Sequence, residues 1–285
     1  MKNRESFVSF AACHIRREWP VMHHAARHAL QPIFSRTSVS PPGGAERMLY
    51  VLTLLAQQAQ PVSAAELAEV SGLATSTLYR QLAVLKSWGF VQESGAYYMP
   101  GPTCLQLARG FDQGSWLVRE ALPEMQRLSE VTNETVGLMV IAHDQMVCLD
   151  MVESRHSLRC TFVKGQGLPL FFGASAKSLL AYLPALKRAA LLNEALSSQV
   201  LNIEQCAQLE KEITSIRQHG YAMSSNEVDE GIWGISIPLL LDKHKLLGTM
   251  TLMAPVSRAG TQTQRFIQHT RHYAERIITR LHSLA

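Results

Sequence analysis

The sequence lacks most of the features that would make its chemistry easy to name. Five cysteines occur in 285 residues, and Cys13, Cys104, Cys148, Cys160 and Cys206 form neither a C-x-x-C pair nor any paired spacing. That scatter excludes a zinc finger and a disulfide scaffold, and it predicts free thiols in a reducing compartment, so the expected location is cytoplasmic. No apolar run reaches the length of a membrane span, and no membrane partner is expected. Phe7 to Cys13 is too short for the core of an export signal and runs into Arg16-Arg17. What remains is ordinary: 47% hydrophobic, 18% charged and 7% aromatic residues, enough chain for two domains with real cores.

A basic surplus is also missing where it would count. The formal net charge is +4, but residues 1–40 hold six Lys/Arg against two Asp/Glu, which leaves twenty-one of each in the rest. Global charge therefore gives no argument for nucleic acid, and any such argument has to come from local geometry.

One stretch supplies it. Val62 to Gly89 reads as two short helices joined by a tight turn at Ser71-Gly72. Ser63 is placed to cap the first, which carries Leu67 and Val70 inward. In the second, Leu78, Leu82 and Leu85 stand at i, i+4 and i+7, so one stripe is apolar. Ser76, Thr77, Tyr79 and Arg80 are left facing outward. Hydroxyls and one arginine fork on the first turns of a helix suit phosphates and the O6/N7 edge of guanine in a major groove. Between Val70 and Gln92 the only charged residues are Arg80 and Lys86, so nothing local repels a polyanion. The plain alternative is a small helical bundle with a solvated polar face.

The next segment favours DNA. Phe90-Val91 and Tyr97-Tyr98-Met99 flank Ser94-Gly95, a hairpin signal that would make a wing, with Gln92, Tyr97 and Tyr98 as expected phosphate contacts. Upstream, Ala45 to Gln58 has Met48, Val51, Leu52 and Leu55 at helical spacing and completes a three-helix winged module. After Pro100-Gly101-Pro102, Thr103 can cap a helix with Leu105, Leu107, Ala108 and Phe111 on one side. Trp116 to Thr132 continues as a connector expected to bury Leu117, Leu122, Met125 and Leu128. Its apolar side would pair with a second copy and so set half-site spacing.

From Val136 the period changes to that of strands: VGLMVIA, MVCLDMV and LRCTFV, with His143-Asp144-Gln145 turning between the first two. Helices are expected over Pro184 to Asn193, over Asn202 to His219 with Gly220 as its stop, and from about Thr261 onward. Strands are expected over Gly231 to Leu241 and Leu246 to Pro255, around Asp242-Lys243-His244-Lys245. With no βαβ alternation, this is an α+β domain on an antiparallel sheet flanked by helices. The chain divides into an extension (1–44), a winged helix-turn-helix (45–100), connector helices (101–132) and a ligand-sensing domain (133–285). In the extension, His24 and His28 stand at i, i+4 with no acidic third ligand following nearby, which favours a solvated basic helix over a metal site; no metal or cofactor is expected.

Candidate chemistry in the second domain gathers at Gly173-Ala174-Ser175, where helix-start amides could bind a small anion such as a carboxylate. The stretch imitates a nucleophile elbow, but Lys177 holds the place of the last glycine in G-x-S-x-G, and S-x-x-K fails at Ser178. Cys148, Cys160 and His156 fall in apparent strands. A ligand pocket fits better than an active site, although an enzyme using Ser175 or a cysteine beside an accessory helix-turn-helix, and a protein-binding winged helix, both remain open at this point.

Taken together, ERMLYVLTLLAQ, VSAAELAEVSGLATSTLYRQLAVLKSWGFV, YYMPGPTCLQLARG, LSEVTNETVGLMV, LPLFFGASAKSLLAYLP, IRQHGYAMSSNEVDEGIWGISIPL and MAPVSR resemble, in wording and order, the IclR family of transcriptional regulators, from about Ala45 to the C-terminus. The resemblance implies a winged helix-turn-helix, a GAF-like effector domain, homodimers that can pair into tetramers, an operator in double-stranded DNA, and a repressor or activator governed by a small organic acid. Position by position, it places the recognition helix at Ser76, Thr77, Tyr79 and Arg80; the residues themselves add Lys86 and Tyr97 as expected DNA contacts. It places the effector pocket at Leu168, Ala174, Ser175, Ser224, Gly234, Thr251 and Met253. The chain departs from the pattern at Thr75, where the family often has a basic residue, at Phe171 in place of His, and at Ala176 in place of Gly. Acidic residues common near Ser224 to Asn226 are reduced to Glu227. Loss of polar groups beside Phe171, Phe172 and Trp233 predicts a pocket for a larger or aromatic acid, unless those rings pack elsewhere.

Overall fold

The computed structural model describes residues 43–58, 60–242 and 245–284; His24, His28 and most of the expected extension lie outside them. Helix α1 (Gly44–Gln57) buries Val51, Leu54 and Leu55. Helix α2 (Ala64–Ser71) begins with a capping box, in which the Ser63 hydroxyl accepts from the Glu66 amide and the Glu66 carboxylate accepts from the Ser63 amide. It ends at Gly72, φ +64. Helix α3 (Thr75–Ser87) closes the trihelical core with Leu78, Leu82 and Leu85. Strands β2 (Val91–Ser94) and β3 (Tyr97–Pro100) form the wing hairpin, with Gly95 at φ +63 on the first loop position, as a type II′ turn requires. An additional short strand, β1 (Val62–Ser63), pairs with β3.

Helix α4 (Pro102–Gly114) is capped by Gly101, not by Thr103 as the sequence suggests. The reason is a close crossing: a Cβ on Gly101 would fall 2.3 Å from the Gly89 carbonyl oxygen, and Thr103 turns its hydroxyl to the orphan Trp88 carbonyl at 3.0 Å. Ser115 breaks the helix and caps α5 (Trp116–Thr132). Helix α5 buries Leu117, Met125 and Leu128 as expected, while Leu122 is only partly covered, and Ala121 and Glu124 are buried in addition. The Glu124 carboxylate is fully enclosed because Arg127, Arg276 and Arg280 all reach it.

The second domain is a six-stranded antiparallel sheet, spatial order β6-β5-β4-β9-β8-β7. Strands β4 (Thr135–Ala142) and β5 (Gln145–Val152) turn through His143 and Asp144, both at positive φ, and β8 (Ile232–Leu241) pairs with β9 (Lys245–Pro255). Short edge strands β6 (Gly167–Leu168) and β7 (Ala222–Ser225) flank them. One face packs on α5 and on α9 (Val256–Ala259) and α10 (Thr263–His282); the other carries α6 (Gly173–Ala181), α7 (Ala185–Ser197) and α8 (Ile203–His219). Strand β8 shows the division residue by residue. Trp233, Ile235, Ile237 and Leu239 point to the α10 face, which leaves Gly234 and Ser236 for the α6 face. No helix among the described residues is long and apolar enough to cross a membrane.

The expected strand LRCTFV does not form. Residues 153–163 instead run over the sheet, with a single parallel bridge, Cys148 to Lys164, beyond them. The Phe162 ring lies where a Cβ on Gly137 would stand 2.7 Å away, and Arg258, paired in a fork with buried Glu134, donates to the Leu158 carbonyl at 3.1 Å. The segment is tied down by side chains and does not join a ladder.

Candidate functional site

The outward face of α3 forms as its apolar stripe dictates. With Leu78, Leu82 and Leu85 buried, Ser76, Tyr79 and Arg80 are exposed and Thr77 is half-buried; no ion pair engages Arg80 among the described residues. Lys86, at the far end, shares its charge with Glu93 of the wing, and the Glu93 carboxylate also accepts from the Tyr98 hydroxyl at 3.0 Å. Burial first, and then that carboxylate, push the Tyr98 phenol up to about 12. Tyr98 is thus a core residue of the wing and not a phosphate contact, because strand alternation turns it inward and Tyr97 outward. Tyr97 and Gln92 are both exposed, opposite Ser94 and Met99 in the hairpin.

The second site is built around the start of α6, where every residue from Gly173 to Ala181 is buried. Its first amides are already engaged: Gly173 N–H donates to a Glu227 carboxylate oxygen at 3.2 Å and Ala174 N–H to the Ser224 hydroxyl at 2.9 Å. Toward the sheet the helix rests on hydroxyls. Ser175 meets Thr251 at 2.9 Å, Thr251 meets Ser236 at 2.6 Å, and one turn on Ser178 meets Thr249 at 3.0 Å, all buried. Such a ladder is stable because a hydroxyl can serve as donor to one neighbour and acceptor from another, as Thr251 and Thr249 each have two partners.

Ala174, Ser224 and Gly234 converge: a Cβ on Gly234 would stand 3.6 Å from the Ser224 oxygen and 3.7 Å from the Ala174 Cβ. Met253 is the register partner of Gly234. Leu168 stands apart on β6, at the opposite edge of the sheet, though it joins the same apolar layer. Trp233 is not part of this site. Its neighbour Gly234 faces α6, so the indole faces the other way, 5.8 Å from Phe266. Phe171 and Phe172 do line a groove of about 320 Å³, together with Leu201 and Leu209.

Apart from Glu227, the charges of that groove are what sequence reasoning misses. Lys177, 4% exposed, places Nζ 2.6 Å from Glu227 and 2.8 Å from Glu212. Burial pushes the Glu212 carboxyl up, but hydrogen bonds from Lys177 and Gln208, and the Lys177 charge, outweigh it and hold the group below the ordinary glutamate value. The one signal in the sequence is a single lysine in an otherwise uncharged run, FFGASAKSLLAYL. Nucleophilic chemistry finds little support. Ser175 hydrogen-bonds a threonine and not a base, and burial pushes the Cys148 and Cys160 thiols up to about 12 and about 11.

Comparison with known proteins matches both halves. Residues 44–95 fit the IclR helix-turn-helix domain, and residues 113–279 fit the bacterial transcriptional regulator IclR C-terminal domain. The HTH-type transcriptional regulator Rv1719 of Mycobacterium tuberculosis is 34% identical over 187 residues, covering 64% of this chain and 71% of its own. A crystal structure of an IclR-type regulator from Silicibacter superposes with a TM-score of 0.74 at 24% identity, over 84% of this chain and 96% of that one. An IclR homologue from Microbacterium hydrocarbonoxydans, solved with 4-hydroxybenzoate, gives 0.64 at 18% identity, over 85% and 100% of the two chains. Helix-turn-helix and sensor domain thus fall, in order, within one matched architecture, and the chain belongs to the IclR family of DNA-binding transcriptional regulators, which are not enzymes.

Proposed function

We propose that this regulator reads its operator through Ser76, Thr77, Tyr79 and Arg80 in the major groove, with Lys86 and Tyr97 beside the phosphate backbone, and that a small organic acid controls it. The working units are residues 45–100 for DNA, 101–132 as connector and 133–285 for the effector. The observation that carries the DNA reading is the two-sidedness of α3: three buried leucines fix its orientation, and an arginine with no ion pair among the described residues is left on the open face.

Pairing of two copies through α4 is supported by its exposed apolar side chains, Leu105 at 74% and Leu107 at 60%, with Phe111 following. Two such dimers can join as a tetramer. The effector site comprises Ala174, Ser175, Ser224, Gly234, Thr251 and Met253, with Leu168 behind them in the apolar layer. Glu227 supports a carboxylate ligand, since a carboxylate of the chain itself already occupies the α6 amide and the Lys177 ammonium. An apolar body would lie along Phe171 and Phe172, in keeping with an acid of the size of 4-hydroxybenzoate, the ligand of the Microbacterium homologue. To act, that acid must bind the DNA-competent and DNA-incompetent states unequally.

Sequencing the genomic fragments retained by the purified protein, with and without a panel of aromatic and aliphatic acids, tests the whole reading. A recurring palindromic half-site whose recovery changes with one acid is expected. Fragments recovered at random in low salt, with no acid effect, would overturn it.

A further inference from the structure

The groove beside α6 carries the wrong charge for a simple acid. Of its lining residues, one is a cation, Lys177, and three are carboxylates, Glu204, Glu212 and Glu227. Lys177 is already shared between two of them, while Glu204 makes no ion pair among the described residues. Glu204, Gln208 and Glu212 stand at i, i+4 and i+8, one ridge of α8 laid along the groove. Apart from Gln205, the remaining wall is apolar, with Phe171, Phe172, Leu201 and Leu209. The groove thus has an end able to hold a carboxylate, at Lys177 and the Gly173 amide, a carboxylate-lined ridge that calls for a cation, and an apolar wall. Its volume of about 320 Å³ lies at the small end of ligand pockets.

We infer that the effector is a zwitterion, an α-amino acid with an aromatic-sized apolar side chain. This rests on the reading above that a ligand carboxylate takes the position of Glu227. The exchange of one carboxylate for another leaves the charge at Lys177 unchanged, and the ligand ammonium faces the α8 ridge at Glu204, the carboxylate there without an ion pair among the described residues. Displacing Glu227 also frees the β7–β8 loop. Val228 of that loop lies against Gly173, where a Cβ would come within 2.8 Å of it, and the Gly231 carbonyl accepts the Val256 amide at 2.8 Å at the start of α9. Occupancy of the groove is thereby linked to the helical layer on the opposite face.

Three probes with one phenyl body separate the two charged ends: L-phenylalanine, 3-phenylpropanoate and phenethylamine, titrated calorimetrically against the full chain and its Glu204→Gln and Glu227→Gln variants. Phenylalanine is expected to bind at least about tenfold more tightly than either partner compound. Glu204→Gln, on the exposed side of α8, should fold normally by circular dichroism and bring phenylalanine down to the level of phenylpropanoate. Glu227→Gln should tighten both carboxylate probes. Equal binding of phenylpropanoate and phenylalanine to the unaltered protein, or indifference of phenylalanine to Glu204→Gln, overturns the zwitterion while leaving an acid effector standing. Tightest binding by phenethylamine overturns the carboxylate reading beneath it, and no binding by any of the three at millimolar concentration overturns the inference itself.

Discussion

Helices α3 and α6, to which we assign DNA reading and effector sensing, are built on opposite plans. Helix α3 buries one stripe and leaves the other to solvent, so its ligand meets it from outside. Helix α6 is buried on all sides, with hydroxyls toward the sheet and a paired ammonium toward α8, so a ligand can reach it only by replacing something already bound. The first plan gives a surface whose affinity is set by what is exposed. The second gives a site whose response is set by what must be displaced.

The contrast can be broken hardest at the α3 stripe. Leu82→Ala, at a position 1% exposed in a small core, should cost about 2–5 kcal/mol of stability, read as a lower midpoint in urea unfolding, and DNA binding should be lost with the fold. Arg80→Ala tests the open face alone. Operator affinity should fall by about 1–3 kcal/mol in a mobility-shift assay, with one base preference relaxed and thermal unfolding unchanged. Unchanged specificity would remove Arg80 from the reading face.

Effects at α6 should be smaller and dependent on context. Ser175→Ala strands part of the hydrogen-bonding capacity of Thr251 and should cost about 1–3 kcal/mol. The double change Ser175→Ala with Thr251→Val should cost less than the two single changes added together; simple additivity in denaturation experiments would show the hydroxyls to be independent. The smallest expected effect is in pH dependence. Because Glu212 is held below its unfolded value, its contribution is complete above the unfolded pKa and is lost as pH falls through the lowered folded value. Lys177→Met should therefore flatten the acid limb of the stability curve, and a limb as steep as that of the unaltered protein would argue against the pair.

The same contrast explains which parts of the molecule are legible in its sequence. Helix α3, the Ser63 cap of α2 and the Gly72 turn follow from local pattern alone, because a helix with one wet face carries a 3.6-residue period and its ends carry capping and turn residues. Helix α6 carries none, and the partners of Lys177 lie 35 and 50 residues away, beyond any local rule. The aromatic expectation holds only in part: Phe171 and Phe172 line the groove, but strand parity turns Trp233 away, which the assignment of Gly234 to the site already implies. LRCTFV imitates a strand because its composition fits one. Distant side chains, Arg258 paired with Glu134 and bound to the Leu158 carbonyl, and Thr135 bound to the Cys160 carbonyl, show why it runs elsewhere.

The backbone crossing of Gly89 and Gly101 fastens the end of the recognition helix to the beginning of α4, leaving no room for even a methyl group. Reading head and shaft therefore turn together, and the bend between shaft and sensor falls at Ser115. A shaft of 13 residues is roughly 20 Å long, so a swing of about 10° at that bend carries the head through roughly 3–4 Å. In the twofold pair proposed above, the gap between heads would change by up to about twice as much, an appreciable part of one turn of duplex and enough to put two half-sites out of step without unfolding either head.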